Sequence, residues 1–146
     1  MNVPFCWEYT VYAWVQRCTF NWLKQVLRWL NVALADQGVV LLLGVPALLY
    51  LGHTATAVAL VASPWVEQWA KELAQRGRPR DPNELGLPSG DCMIVSIWTP
   101  MILGWWSAIP ILIVMFARMM LNAHWPLDVV VGVGIGLLMG SAGWLR

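Results

Sequence analysis

The sequence predicts an all-α integral membrane protein, a bundle of short helices, on three observations. The 146 residues are 59% hydrophobic and only 12% charged, where an ordinary soluble domain carries about 25% charged residues. The apolar residues come in long blocks: 37–66 and 92–117 contain no Asp, Glu, Lys or Arg, and 129–145 forms a third block. There are 11 tryptophans, and Trp favours the bilayer interface. Nine basic and eight acidic side chains cannot solvate the surface of so apolar a chain, whose mean hydropathy is +0.60. A soluble enzyme, a charged-tail protein and a disordered chain are thereby excluded. The net charge of +1 gives no electrostatic case for a nucleic-acid partner. Cys6, Cys18 and Cys92 are odd in number and irregular in spacing, which implies neither a disulfide framework nor a zinc site.

Element by element, the first 36 residues read as one long amphipathic helix, with Pro4 suited to its first turn. Trp7, Trp14, Trp22 and Trp29 recur at spacings of 7, 8 and 7, which keeps them on one face of a helix. Thr10, Arg17, Asn21, Lys24, Arg28 and Asn31 form a separate, narrow polar stripe. A helix so patterned lies in the interfacial plane, so 1–36 is expected to anchor a membrane core formed by 37–146 within a single domain. Glu8 and Arg17 interrupt the apolar run and no basic region precedes it, so a secretory signal is not expected.

The blocks 37–66 and 92–117 are each long enough for one span of ~20 residues or for a tight hairpin of two short ones. Gly52-His53-Thr54 and Gly104-Trp105-Trp106-Ser107 are the turn candidates. Pro46, Pro64, Pro100 and Pro110 would kink or bound helices, which membrane bundles tolerate. The third block carries Gly132, Gly134, Gly136, Gly140 and Gly143, small residues that let helices pack closely.

Most of the remaining charge lies in one polar connection between Glu67 and Asp91, broken by Pro79, Pro82 and Pro88. Within it, Lys71 is followed by Arg78-Pro79 and then by Pro88-Ser89-Gly90, where a Ser-Gly turn ends as an apolar helix begins. Backbone N–H groups at a helix start, with a Ser hydroxyl, make an anion site, and Lys and Arg supply the counter-charge. Further on come Arg118, His124 and Asp128. Such residues at the edges of apolar blocks are costly and point to function. His124 and Asp128, at i and i+4, would share a helix face if the helix runs through Pro126; Asp128 could then orient the imidazole for nucleophilic attack.

Lys71-x6-Arg78-Pro79, Pro88-Ser89-Gly90-Asp91 and Arg118-x5-His124-x3-Asp128 resemble, in order and spacing, the three-part signature of the type 2 phosphatidic acid phosphatase (lipid phosphate phosphatase) superfamily. The resemblance implies a helical bundle that dephosphorylates membrane lipids with no metal or other cofactor. It implies His124 as a nucleophile forming a phosphohistidine and Asp128 as the carboxylate holding it. Lys71, Arg78, Ser89, Gly90 and Arg118 fall where the family cradles the phosphate, in keeping with a reaction that needs mainly positioning and charge stabilisation. For these pieces to meet at one membrane face, 92–117 must be a hairpin. The expected layout is four to five short spans plus the interfacial helix, in a bacterial cytoplasmic membrane with the site on the extracytoplasmic face. The implied partners are the bilayer and a lipid phosphate or diphosphate monoester, of the polyprenyl diphosphate, phosphatidylglycerophosphate or phosphatidate class.

The departures from the signature are Asp91, where the family has a His that protonates the leaving alkoxide, and Ala117 where Ser or Thr is usual. A carboxylate beside bound phosphate is repelled and favours its protonated form, in which Asp91 can act as general acid. Alternatively the leaving group is itself a phosphate and needs little protonation, or the site binds a lipid phosphate without turning it over. A lipid phosphotransferase would use the same residues with a lipid hydroxyl in place of water.

Overall fold

The computed structural model describes residues 4–17 and 20–143. In chain order it contains α1 (Cys6–Arg17), α2 (Asn21–Ala35), α3 (Gln37–Val39), a π-helical turn (Val40–Gly44), α4 (Val45–Tyr50), α5 (Thr54–Ala74), α6 (Gly90–Leu103), a 3-10 turn (Gly104–Ser107), α7 (Ala108–Met120) and α8 (Pro126–Ser141). The all-α class is as the composition requires. Cys6 is exposed and Cys92 buried, both free; Cys18 lies outside the described residues.

The N-terminal segment is two helices rather than the single one expected. α1 turns Glu8 and Val15 inward, whereas α2 buries Leu27, Asn31 and Ala35. At ~100° per residue those two inward faces lie roughly 150° apart, so one straight helix cannot bury both. Phe20, with φ −98° and ψ 145°, is extended and precedes the second helix. Trp7, Trp14, Trp22 and Trp29 remain exposed, but α2 is not a free interfacial rod. Its Leu27 packs in a cluster with Ala117 and Met120 of α7, and its Ala35 in another with Cys92, Val95, Ile111 and Val114. At Asp36 the chain breaks again, and the Asp36 carboxylate caps the next helix by accepting the Val39 N–H at 3.0 Å.

Both apolar blocks fold back. The first reverses at Leu51-Gly52-His53, where Gly52 has φ +82°. The second reverses at Gly104, with φ +53°, and its two arms return to the same end, where Asp91 and Arg118 pair at 2.8 Å. The number of spans differs from the four to five expected. Among the described residues, two stretches, Asn21–Tyr50 and Gly90–Met120, are long and apolar enough to cross a membrane, and the latter is the hairpin. The remaining apolar helix, α8, has 16 residues, ~24 Å at 1.5 Å rise against a hydrocarbon core of ~30 Å.

The closest seam in the bundle is α6 against α8. A Cβ on Gly132, Gly136 or Gly140 would strike the carbonyl oxygen of Ser89, Met93 or Ile97 respectively. Three glycines at i, i+4 and i+8 thus let α8 lie directly on the backbone of α6. This seam joins the start of α6, where Ser89 stands as N-cap, to the start of α8, where Asp128 stands in the first turn.

Candidate active site

Four chain segments meet at the end of the bundle where α5 and α7 finish and α6 and α8 begin. α5 ends at Gln75, whose φ of +49° turns the chain out of the helix. The connection to α6 is a narrow hairpin, closed by Gly86 N–H donating to the Arg76 carbonyl at 2.7 Å and Arg78 N–H to the Glu84 carbonyl at 3.0 Å. Gly86 allows that hairpin to lie on the site: a Cβ there would fall 2.9 Å from Asp128 Oδ2 and 3.2 Å from Arg78 Cγ. After α7, Asn122 at φ +56° reverses the chain, and Ala123 N–H closes the turn on the Arg118 carbonyl at 3.0 Å. Pro126 then opens α8 with its fixed φ, as expected of Pro at a helix start. The helix therefore begins after His124. Asp128 reaches back over this start, its Oδ2 accepting the Trp125 N–H at 3.0 Å.

His124 is 1% exposed and Asp128 fully buried. The imidazole Nδ1 faces Asp128 Oδ2 at 3.6 Å, and Nε2 faces Arg118 Nη2 at 3.2 Å. A guanidinium only donates, so Nε2 is the acceptor and the ring proton sits on Nδ1, on the Asp128 side. Burial pushes the His124 imidazole below its ordinary range. Arg118 and Arg78 add to that push and Asp128 opposes it. The ring is thus neutral at pH 7, with a lone pair on Nε2.

Of the cationic residues of the signature, Arg118 and Arg78 act on this ring, and all three, Lys71 included, are already matched by a carboxylate. Arg118 Nη1 pairs with Asp91 Oδ2 at 2.8 Å. Arg78 pairs with Glu84 at 3.0 Å and donates from Nε to the Leu85 carbonyl at 3.1 Å. Lys71 pairs with Glu67 one turn earlier in α5. Glu67 also presses on Gly90, leaving no room for a Cβ there. Ser89 is buried and its N–H donates to the Asp128 carbonyl at 2.9 Å. The N–H groups that follow it head α6 with no preceding helical turn to receive them. All eight residues singled out in the sequence lie at this one end of the bundle, with Lys71 reaching it through Glu67 and Gly90. Among the described residues, no three His, Cys, Asp or Glu side chains converge as a metal site needs.

Four participants were not singled out from the sequence. Asn31 of α2 donates to Asp91 Oδ2 at 2.7 Å. Glu8 of α1 pairs with Arg76, whose Nη1 lies 3.5 Å from Asp128 Oδ1. Glu67 holds Lys71. For Asn31, Glu8 and Glu67 the signal was charge or amide on a largely apolar helix, plainest for Glu8, which had registered only as an interruption of the apolar run; Arg76, beyond the end of α5, carried none.

Residues 50–145 match the family model of the PAP2 superfamily. None of the curated proteins and none of the solved structures gives a match. The matched span includes the polar hairpin, the Ser89-Gly90 turn, Arg118, His124 and Asp128, and leaves out α1 and α2.

Proposed function

The chain belongs to the PAP2 superfamily, whose activity is phosphatase action on phosphate esters, and from that premise we propose that it is a membrane-embedded lipid phosphatase working through a phosphohistidine at His124. The observation that carries this reading is the His124 ring: buried, neutral, its Nδ1 turned to Asp128 and its Nε2 lone pair turned toward Arg118. In the proposed reaction Nε2 attacks phosphorus and the bond to the leaving oxygen breaks. Asp128 accepts the growing positive charge on the ring through the Nδ1 proton, as a carboxylate does for a catalytic imidazole. Arg118, Arg78, Lys71 and the N–H groups at the start of α6 stabilise the equatorial oxygens. Water then attacks the adduct, the N–P bond breaks, and phosphate leaves.

Phosphate binding on this scheme is an exchange of anions. The substrate takes Arg118 from Asp91, Arg78 from Glu84 and Lys71 from Glu67. Asp91 can then donate a proton to a departing alkoxide once it has taken one up. In the unliganded site, however, its Oδ2 is engaged by Arg118 and Asn31 and is not offered to a leaving oxygen. That arrangement favours a diphosphate monoester, whose leaving phosphate needs no proton, over a simple phosphate monoester.

The test is phosphate release by detergent-purified protein from a polyprenyl diphosphate and from phosphatidate. His124→Ala is expected to abolish release from both, and acid-labile phosphate should be trapped on the wild type alone. Full activity in His124→Ala would remove the proposal.

A further inference from the structure

We propose that Glu8, on the N-terminal helix outside the family match, is a positioning residue of this active site that acts through Arg76 on Asp128. The inference rests on the phosphohistidine reading above.

Glu8 is fully buried, Arg76 is 3% exposed and Asp128 fully buried. Two carboxylates therefore share one guanidinium away from water. Glu8 Oε2 takes Arg76 Nη2, while Arg76 Nη1 stands off from Asp128 Oδ1 at 3.5 Å. Glu8 Oε1 also accepts the Leu127 N–H at 3.1 Å, in the helical turn that carries Asp128. The Glu8 carboxylate so fixes both the guanidinium beside Asp128 and the backbone beneath it. Its own helix is seated for the task. Tyr12 Oη donates to Asn122 Oδ1 at 2.8 Å and Gln16 Nε2 to the Met119 carbonyl at 2.7 Å. The Tyr9 and Tyr12 rings lie 5.1 Å from that of Trp125.

The physical consequence concerns which partner Asp128 serves. A buried arginine with a single carboxylate in reach closes onto it. With Glu8 present, Arg76 is already neutralised and Asp128 remains free to hold the Nδ1 proton of His124. Without that charge, Arg76 draws Asp128 away from the ring. The other charged groups facing His124 are Arg118 from α7 and Arg78 from the hairpin, and neither touches Glu8.

The experiment uses the full chain in detergent with a polyprenyl diphosphate as substrate. Glu8→Gln keeps the shape of the side chain and the acceptor for Leu127. Its kcat is expected to fall roughly 10- to 100-fold, the scale of a misplaced catalytic group, with KM within about twofold. Because Asp128 then supports the imidazolium less, the acid limb of kcat/KM should move to lower pH. In an Arg76→Gln background the same Glu8→Gln change should have almost no further effect, the non-additivity of groups acting in one chain. A lower kcat with an unmoved acid limb and additive losses would show a merely structural strut and overturn the proposal, as would unchanged activity. Should Glu8→Gln not fold, Glu8→Asp carries the test: its shortened carboxylate should shift the limb the same way by less, and an unmoved limb overturns the proposal. Wild-type protein that releases no phosphate from any lipid overturns the phosphatase reading and this inference with it. An active wild type indifferent to Glu8 overturns the inference alone.

Discussion

Replacing Asp91 with Asn should tighten substrate binding, because the substrate would no longer compete with an internal carboxylate for Arg118. Asp91 Oδ2 lies 2.8 Å from Arg118 Nη1, the two side chains being 23% and 18% exposed. Two unit charges ~4 Å apart attract by about 4 kcal/mol at an effective dielectric of ~20. Part of that is regained from water when the pair opens, and measured pairs with solvent access are worth at most about 1 kcal/mol. A gain of about 1 kcal/mol corresponds to a roughly fivefold lower KM. The amide retains an oxygen to accept from Asn31, so the local packing is kept. Steady-state phosphate release from a diphosphate lipid and a monophosphate lipid is the assay. Asp91→Asn should lower KM for both, leave kcat on the diphosphate nearly unchanged and depress kcat on the monophosphate, which needs a proton donor. An unchanged or higher KM would refute the exchange of Asp91 for substrate at Arg118. Equal loss of kcat on both substrates would refute the assignment of Asp91 to the leaving group.

Three further outcomes follow from the same geometry. Gly136→Ala should destabilise the fold by about 1–3 kcal/mol, as overpacking does, while Gly134→Ala, with nothing within 4 Å of its Cβ, should be nearly neutral; thermal unfolding in detergent compares the two. Gly90→Ala should push Glu67 and with it Lys71 from their places, raising KM more than it lowers kcat in the same phosphate-release assay. His124 is held below its ordinary value by burial, so the stability tied to its neutral form is present above the unfolded value of ~6.5 and is lost as pH falls through the lower folded value. Unfolding midpoints of wild type and His124→Gln should therefore converge or cross as pH falls below about 6.5, and a constant difference from pH 8 to pH 5 would count against a depressed imidazole.

The parts legible in the sequence were those where chemistry or solvent leaves few choices. A composition this apolar has to be helical if it enters a membrane, and glycines four apart pack a helix onto a neighbouring backbone. Arg118, His124 and Asp128 were visible because such residues are costly at apolar edges, and Lys71, Arg78 and Ser89 through their order and spacing in the signature that the sequence resembles. The N-terminal segment was misjudged for a physical reason. Its tryptophans share one face of an ideal helix, and the pattern hides that the inward faces of the two halves, Glu8 and Val15 in one and Leu27, Asn31 and Ala35 in the other, lie roughly 150° apart. Hydropathy also could not separate one span from two short arms, because Gly104 reverses the chain through a backbone angle and not through polarity. Arg76 went unremarked among the charges of the polar connection between Glu67 and Asp91. The hairpin closed by Gly86 and the Arg76 carbonyl turns it inside, a tertiary event with no local signature.

The α6–α8 seam has a consequence for how the protein meets a changing bilayer. Ser89 and Asp128 are joined backbone to backbone at one end of a seam whose spacing is set by carbonyls against glycines, with no flexible side chain between them. Lipids of different length or fluidity act on the outer faces and on the far turns at Gly52 and Gly104, where φ is positive and no neighbour crowds the glycine. Those turns can yield to lateral stress while the spacing of Ser89 and Asp128 stays constant. On the proposed function, the reacting end is then a rigid head on a yielding body, and its rate should depend on temperature through chemistry far more than through the phase of the surrounding membrane.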